Sequence, residues 1–253
     1  MSAPEASPSA MHLAGVRAAS DAFLSACTAL REDAPIHSVA WPTVGDMIDH
    51  LGNIQCWATE VLRTGDPIGR REFARPDGAD RRAWFAEVSA GLTEVLEETA
   101  ADRPCWTLFD APRLSGFWAR RMMAEATKHL WDVRTATDPN PVMPSELSLD
   151  AQADVLDEFV AVFVAAARAR GIPALPRNLV LSATDIEREW FFQTDWQVTT
   201  DAAPAVDAEV LRARVGDLVL FVWERATPAA HPERFTSTTD EAVRAFAETP
   251  IHL

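Results

Sequence analysis

Up to about residue 172 the apolar side chains recur at steps of three and four, the spacing of one helical face; beyond Pro173 they gather into short runs of β-branched, aromatic and aliphatic residues. The first pattern predicts a helix over about 10–31, stopped before Pro35, and a second that begins after Thr43. Thr43 suits a capping position, with Asp46 three residues later, and Gly65 suits the end of that helix. The stretch "REFARPDGAD" reads as a loop, followed by a third helix over about 80–100, a break at Pro104 and a fourth helix over about 115–135. The proline-rich "TDPNPVMPSE" reads as an exit, and a fifth helix over about 149–170 ends at Gly171.

After that the period changes. "NLVLSATD", "EWFFQTDWQVTT", "AEVLRARV" and "DLVLFVWER" are bounded by Asp, Pro and Gly and predict strands, with a last helix over about 240–248. The expected fold is therefore α+β: a four-helix bundle over 1–145 and a small α+β domain over 146–253.

The fourth helix holds an anomaly. Its apolar stripe runs Trp118, Met122, Glu125, His129, Val133, with Arg121 and Lys128 assigned to the opposite, polar stripe. A carboxylate and an imidazole on a buried face lose hydration, so the core must supply a partner, either another polar side chain or a metal ion. Glu125 and His129, four residues apart, can reach one ion together. A third ligand candidate is His50 on the second helix, whose stripe of Met47, His50, Ile54 and Trp57 also faces inward. Two imidazoles and a carboxylate with a fourth position open form a donor set associated with catalytic zinc, and facing helices of a bundle are a recurrent place to build one.

Composition narrows the partners. The 253 residues carry a net charge of −15, with a sequence pI near 4.8 and Lys128 as the sole lysine, so the basic stripe that nucleic-acid binding requires is missing. The Ala- and Arg-rich, Lys-poor usage suggests a high-GC bacterial genome. Cys27, Cys56 and Cys105 are odd in number and scattered, which argues against a disulfide framework and for small buried side chains. The start "MSAPEASPSA" is unlike a secretory signal, and the apolar run "FVAVFVAAA" is about half the roughly 20 residues that span a bilayer. A soluble, cytoplasmic protein without membrane contact is expected. His12, His37, His231 and His252 lie near termini or in loops and are expected to be solvated.

"TVGDMIDHLGN" together with "EATKHLWD" resembles the paired signatures of the mycothiol-dependent maleylpyruvate isomerase family, within the DinB-like helical-bundle superfamily. "LVLSATD", "DWQVTT", "VGDLVLFVWER" and "TSTTDEAVRAF" resemble that family's smaller second domain in order and spacing. The resemblance implies a zinc ion held by His50, Glu125 and His129, with Asp132 in a supporting hydrogen-bonding role. It also implies that Arg225 faces the cleft to pair with a substrate carboxylate. Two departures stand out. The family has Trp directly before the Thr of the second helix, whereas here Pro42 intervenes, so Trp41 is expected to point elsewhere; and Glu224 stands where the family tends toward Gly.

The implied activity is thiol-dependent isomerisation. Zinc would hold mycothiol as a thiolate, which would add to a cis double bond of a small, maleylpyruvate-like carboxylate, allow rotation and leave. Addition without elimination would make the protein a thiol transferase. The rival expectation is a non-catalytic small-molecule-binding protein with a structural or vacant metal site. Sequence fixes neither the electrophile nor the oligomeric state.

Overall fold

The computed structural model describes residues 8–38, 40–109, 111–200 and 207–252, and the chain falls into two compact units, Met1–Leu147 and Ser148–Leu253. In the first unit α1 (Pro8–Thr28), α2 (Val44–Thr64), α3 (Arg81–Glu98) and α4 (Gly116–Arg134) form a four-helix bundle in which α1 and α2 each pack on both α3 and α4. The ends of α2 follow from its sequence. Thr43 is extended and its Oγ1 accepts from the backbone N–H of Asp46, while Gly65, at φ 81°, returns its N–H to the Val61 carbonyl. Gly52 permits close approach: the Trp84 ring of α3 lies where a Cβ would stand.

Asp80 caps α3 through the N–H of Ala83. Arg81 and Arg82 reach back to Glu32, and Arg81 also to Asp49, tying α3 to the start of the α1–α2 connection and to α2. A short 3-10 turn, Arg70–Phe73, lies within the loop between α2 and α3.

In the second unit α5 (Leu149–Phe159) passes through a π-helical turn, Val160–Val164, into α6 (Ala165–Ala169), so the long fifth helix expected from the sequence is continuous but locally widened. The strands β1 (Leu179–Ala183), β2 (Glu189–Phe192), β3 (Val198–Thr200), β4 (Glu209–Ala213) and β5 (Thr236–Ser237) form one sheet in the order β3-β2-β1-β4-β5. Among the described residues only the β1–β4 pair is parallel, with Leu181 beside Leu211. α8 (Glu241–Glu248) packs on β4.

One expected strand is a helix. "DLVLFVWER" forms most of α7 (Val215–Val222) and the turn after it. The helix contacts α5, β1 and β4, and all its residues except Asp217 are buried. Burial on every side removes the alternation that would have told a helix from a strand in so short a run. Arg225 therefore follows a helix end rather than closing a strand.

That end is a Schellman turn: Glu224 donates its N–H to Phe221 O at 3.0 Å and Arg225 to Leu220 O at 2.8 Å. Glu224 sits at φ 61°, the left-handed region glycine favours. The glycine tendency at this position thus has a backbone reason.

Candidate functional site

α2 and α4 pack together in the bundle and bring His50, Glu125 and His129 into one cluster. The His50 and His129 rings meet edge to face, 4.9 Å between centroids. Both imidazoles are buried, and His129 Nε2 lies 3.1 Å from Glu125 Oε2. That contact lacks the alignment of a hydrogen bond, leaving Nε2 a buried nitrogen without a hydrogen-bond partner. The other ring nitrogen, Nδ1, is 2.9 Å from Asp132 Oδ2. Asp132 is fully buried one turn further along α4.

Charge at the site is finely divided. Burial, followed by the charges of His129 and other cations, pushes the His50 pKa down to about 3, so its ring is neutral at pH 7. For His129 burial works the same way, but the carboxylates of Asp132 and Glu125 outweigh it and the pKa is raised. Burial would raise the Glu125 pKa; Arg121, then His129, reverse this and hold the carboxyl well below the usual range.

Arg121 is the residue that helical periodicity misplaced. Instead of lying on a solvated stripe it is buried, with its Nη2 on Glu125 Oε1. Four residues before Glu125, it stands beside the cluster rather than opposite it, on a helix covered on nearly all sides. A cation four residues before a buried acid was the available signal.

Trp41 is likewise not where its displacement by Pro42 suggested. Its ring stacks on His50, 3.4 Å between centroids and 23° between planes, and lies edge-on to His129 at 6.1 Å. Among the remaining histidines His37 is exposed, but His12 is buried in α1, and His252 Nε2 lies 2.7 Å from the Val222 carbonyl. Cys27 and Cys105 are buried and Cys56 is half-buried; burial pushes the Cys27 thiol up to about 12. In the second unit the Arg225 guanidinium donates to the Trp223 carbonyl at 2.8 Å, folding back over the end of α7.

Among the described residues no three His, Cys, Asp or Glu side chains are drawn in tightly enough to hold a metal ion as they stand. The donor chemistry nevertheless fits one. There is a neutral imidazole, an ionised carboxylate, and a second imidazole whose Nε2 is buried and unbonded while Nδ1 is fixed by a carboxylate.

The family model for the mycothiol maleylpyruvate isomerase N-terminal domain matches residues 13–134. No curated protein matches the sequence. Two crystal structures of the mycothiol-dependent maleylpyruvate isomerase, one of them a histidine-to-alanine mutant, share the fold with a TM-score of 0.57 at 16% identity, covering 90% of this chain and 91% of theirs. The matched span runs from within α1 to the last residue of α4 and contains the whole cluster, so it is over this helical unit that the chain matches the mycothiol maleylpyruvate isomerase N-terminal domain.

Proposed function

We propose that this protein is a mycothiol-dependent isomerase of a small unsaturated carboxylate of the maleylpyruvate kind, with His50, Glu125 and His129 holding a divalent metal, zinc by donor type. The observation that carries the reading is the buried, unbonded Nε2 of His129 beside a neutral His50 and an ionised Glu125, within a domain of this family. Bound there, the ion would supply the positive charge that keeps a thiol as its nucleophilic thiolate at neutral pH.

The chain's own part is to prepare the donors. Asp132 accepts from Nδ1 of His129 and so directs Nε2 away from itself; burial keeps His50 unprotonated; Arg121 keeps Glu125 ionised before any ligand arrives. In the reaction the sulfur adds to one carbon of the cis double bond. The resulting single bond rotates, and loss of the same sulfur restores the double bond as trans, with no net change in atoms. Arg225 is assigned the substrate carboxylate, which its planar guanidinium can bind through two parallel hydrogen bonds. None of the three cysteines is needed as nucleophile, in keeping with the burial that raises the pKa of each.

One observation favours the non-catalytic alternative. Arg121 already neutralises Glu125, so the cluster is electrostatically partnered without an ion. The two readings separate in one experiment. Metal content is measured on the purified protein and on His129→Ala, and both are then given mycothiol and maleylpyruvate while the olefinic proton signals are followed by NMR. Isomerase function requires near-stoichiometric metal and cis-to-trans conversion in the parent, both lost in the variant. A metal-loaded parent that converts nothing leaves the binding protein as the reading.

A further inference from the structure

The two imidazoles of the cluster are oriented by different means. His129 is fixed through Nδ1 by Asp132. Among the described residues no hydrogen bond engages the His50 ring; the His129 ring meets it edge to face at 4.9 Å, and the flat face of Trp41 stacks on it at 3.4 Å between centroids. The terminal torsion of a histidine is broad when nothing restrains it, so a stacked indole on one face is what limits rotation of the ring.

The segment that carries Trp41 is pinned to both ligand-bearing helices. At its base Pro35 pairs with Thr43, the cap of α2, and the Ile36 N–H reaches Pro42 O at 2.9 Å. At its far side the His37 N–H donates to Thr135 Oγ1 at 2.8 Å, at the end of α4. Trp41 itself donates its backbone N–H to Ser38 Oγ at 3.2 Å, and Pro42, with its own φ fixed by the ring, restricts the backbone of Trp41 before it. The indole is thus held by the same two helices that carry His50 and His129.

We infer that Trp41 is a positioning residue for metal binding: its ring face sets the orientation of His50 as a ligand, the part that Asp132 plays for His129. The inference rests on the metal reading above. A ligated imidazole carries added positive charge, which the face of an indole attracts, so the stack favours the loaded state as well as the orientation.

The test compares the parent with Trp41→Leu, which keeps apolar bulk without a π face, and Trp41→Phe, which restores one. In the metal-free parent the stack itself is read first: the His50 ring protons, assigned with His50→Ala, should resonate upfield of those of exposed His37, and equal shifts overturn the inference. Zinc affinity is then measured by competition with a colorimetric chelator, and the visible bands of the cobalt(II)-loaded protein report ligand geometry. Zinc affinity is expected to fall roughly tenfold in Trp41→Leu, with altered cobalt bands, and to recover largely in Trp41→Phe. Equal affinity in the parent and Trp41→Leu, or equal loss in both variants, overturns the role of the ring face while leaving the metal site standing. A parent that binds neither zinc nor cobalt overturns both.

Discussion

Asp132 Oδ2 and His129 Nδ1 lie 2.9 Å apart, one helical turn separating the residues and neither side chain meeting solvent to any extent. Two atoms at that distance in the interior keep a proton on Nδ1 and fix the ring so that Nε2 is the nitrogen turned toward Glu125. Substitution here acts on the site through one imidazole. Asp132→Asn retains an acceptor and is expected to weaken zinc binding by about tenfold, and Asp132→Ala by closer to 100-fold, measured by chelator competition. Unchanged affinity in both variants would mean that His129 does not ligate.

The Glu224 backbone gives a stabilising substitution. A left-handed φ costs a non-glycine residue about 1–2 kcal/mol, and glycine gives back part of that gain in unfolded-chain entropy. Glu224→Gly is therefore expected to stabilise the second unit by roughly 0.5–1 kcal/mol. The carboxylate lost is mostly exposed and 4.0 Å from His252 Nε2, a pairing of little weight. A urea melt followed by tryptophan fluorescence checks it; destabilisation would show that the carboxylate has a role the turn does not reveal.

Glu209 supplies the pH prediction. Burial alone would raise its pKa, but hydrogen bonds from Thr239, the N–H groups of Ala242 and Val243, and Ser237 lower it below the ordinary value. Its carboxylate closes the first turn of α8 from β4, where unpaired helix N–H groups favour negative charge. With the folded pKa depressed, the stabilisation is complete above the unfolded carboxyl's pKa of about 4.3 and is lost as pH falls through the folded value. Glu209→Gln is expected to cost roughly 2 kcal/mol at pH 7 and to flatten the loss of stability below about pH 4.5. Parallel acid limbs for parent and variant in thermal melts would remove Glu209 as the cause.

What was legible in the chain depended on how many sides of an element are covered. α2, with one half-buried polar face and caps at Thr43 and Gly65, could be read to its ends, and the inward side of His50 with it. α7 is enclosed, so its run shows no alternation and reads as the wrong element, whereas in α4 periodicity sets Arg121 opposite the stripe although its spacing of four from Glu125 puts the two side by side. Trp41 fell outside any periodic segment, and its partner is set by a loop pinned at both ends. Glu125 and His129 remained visible because titratable groups on an apolar stripe conflict with their surroundings whatever covers the opposite face.

Arg121 yields the last prediction because it contacts a proposed ligand and is itself buried, with its side chain 5% exposed and that of Glu125 18%. Removing one partner of a buried ion pair costs about 3–5 kcal/mol when the other charge stays enclosed. Glu125 keeps some exposure and His129, so Arg121→Met is expected to cost the metal-free protein nearer to 2–3 kcal/mol. Zinc should return part of this, since an ion at Glu125 supplies the positive charge the variant lacks and binds without competition from the guanidinium. The rise in melting temperature on adding zinc is therefore expected to be larger in Arg121→Met than in the parent. A smaller rise would mean that Arg121 assists the ion, by keeping Glu125 ionised and in place, more than it competes with it.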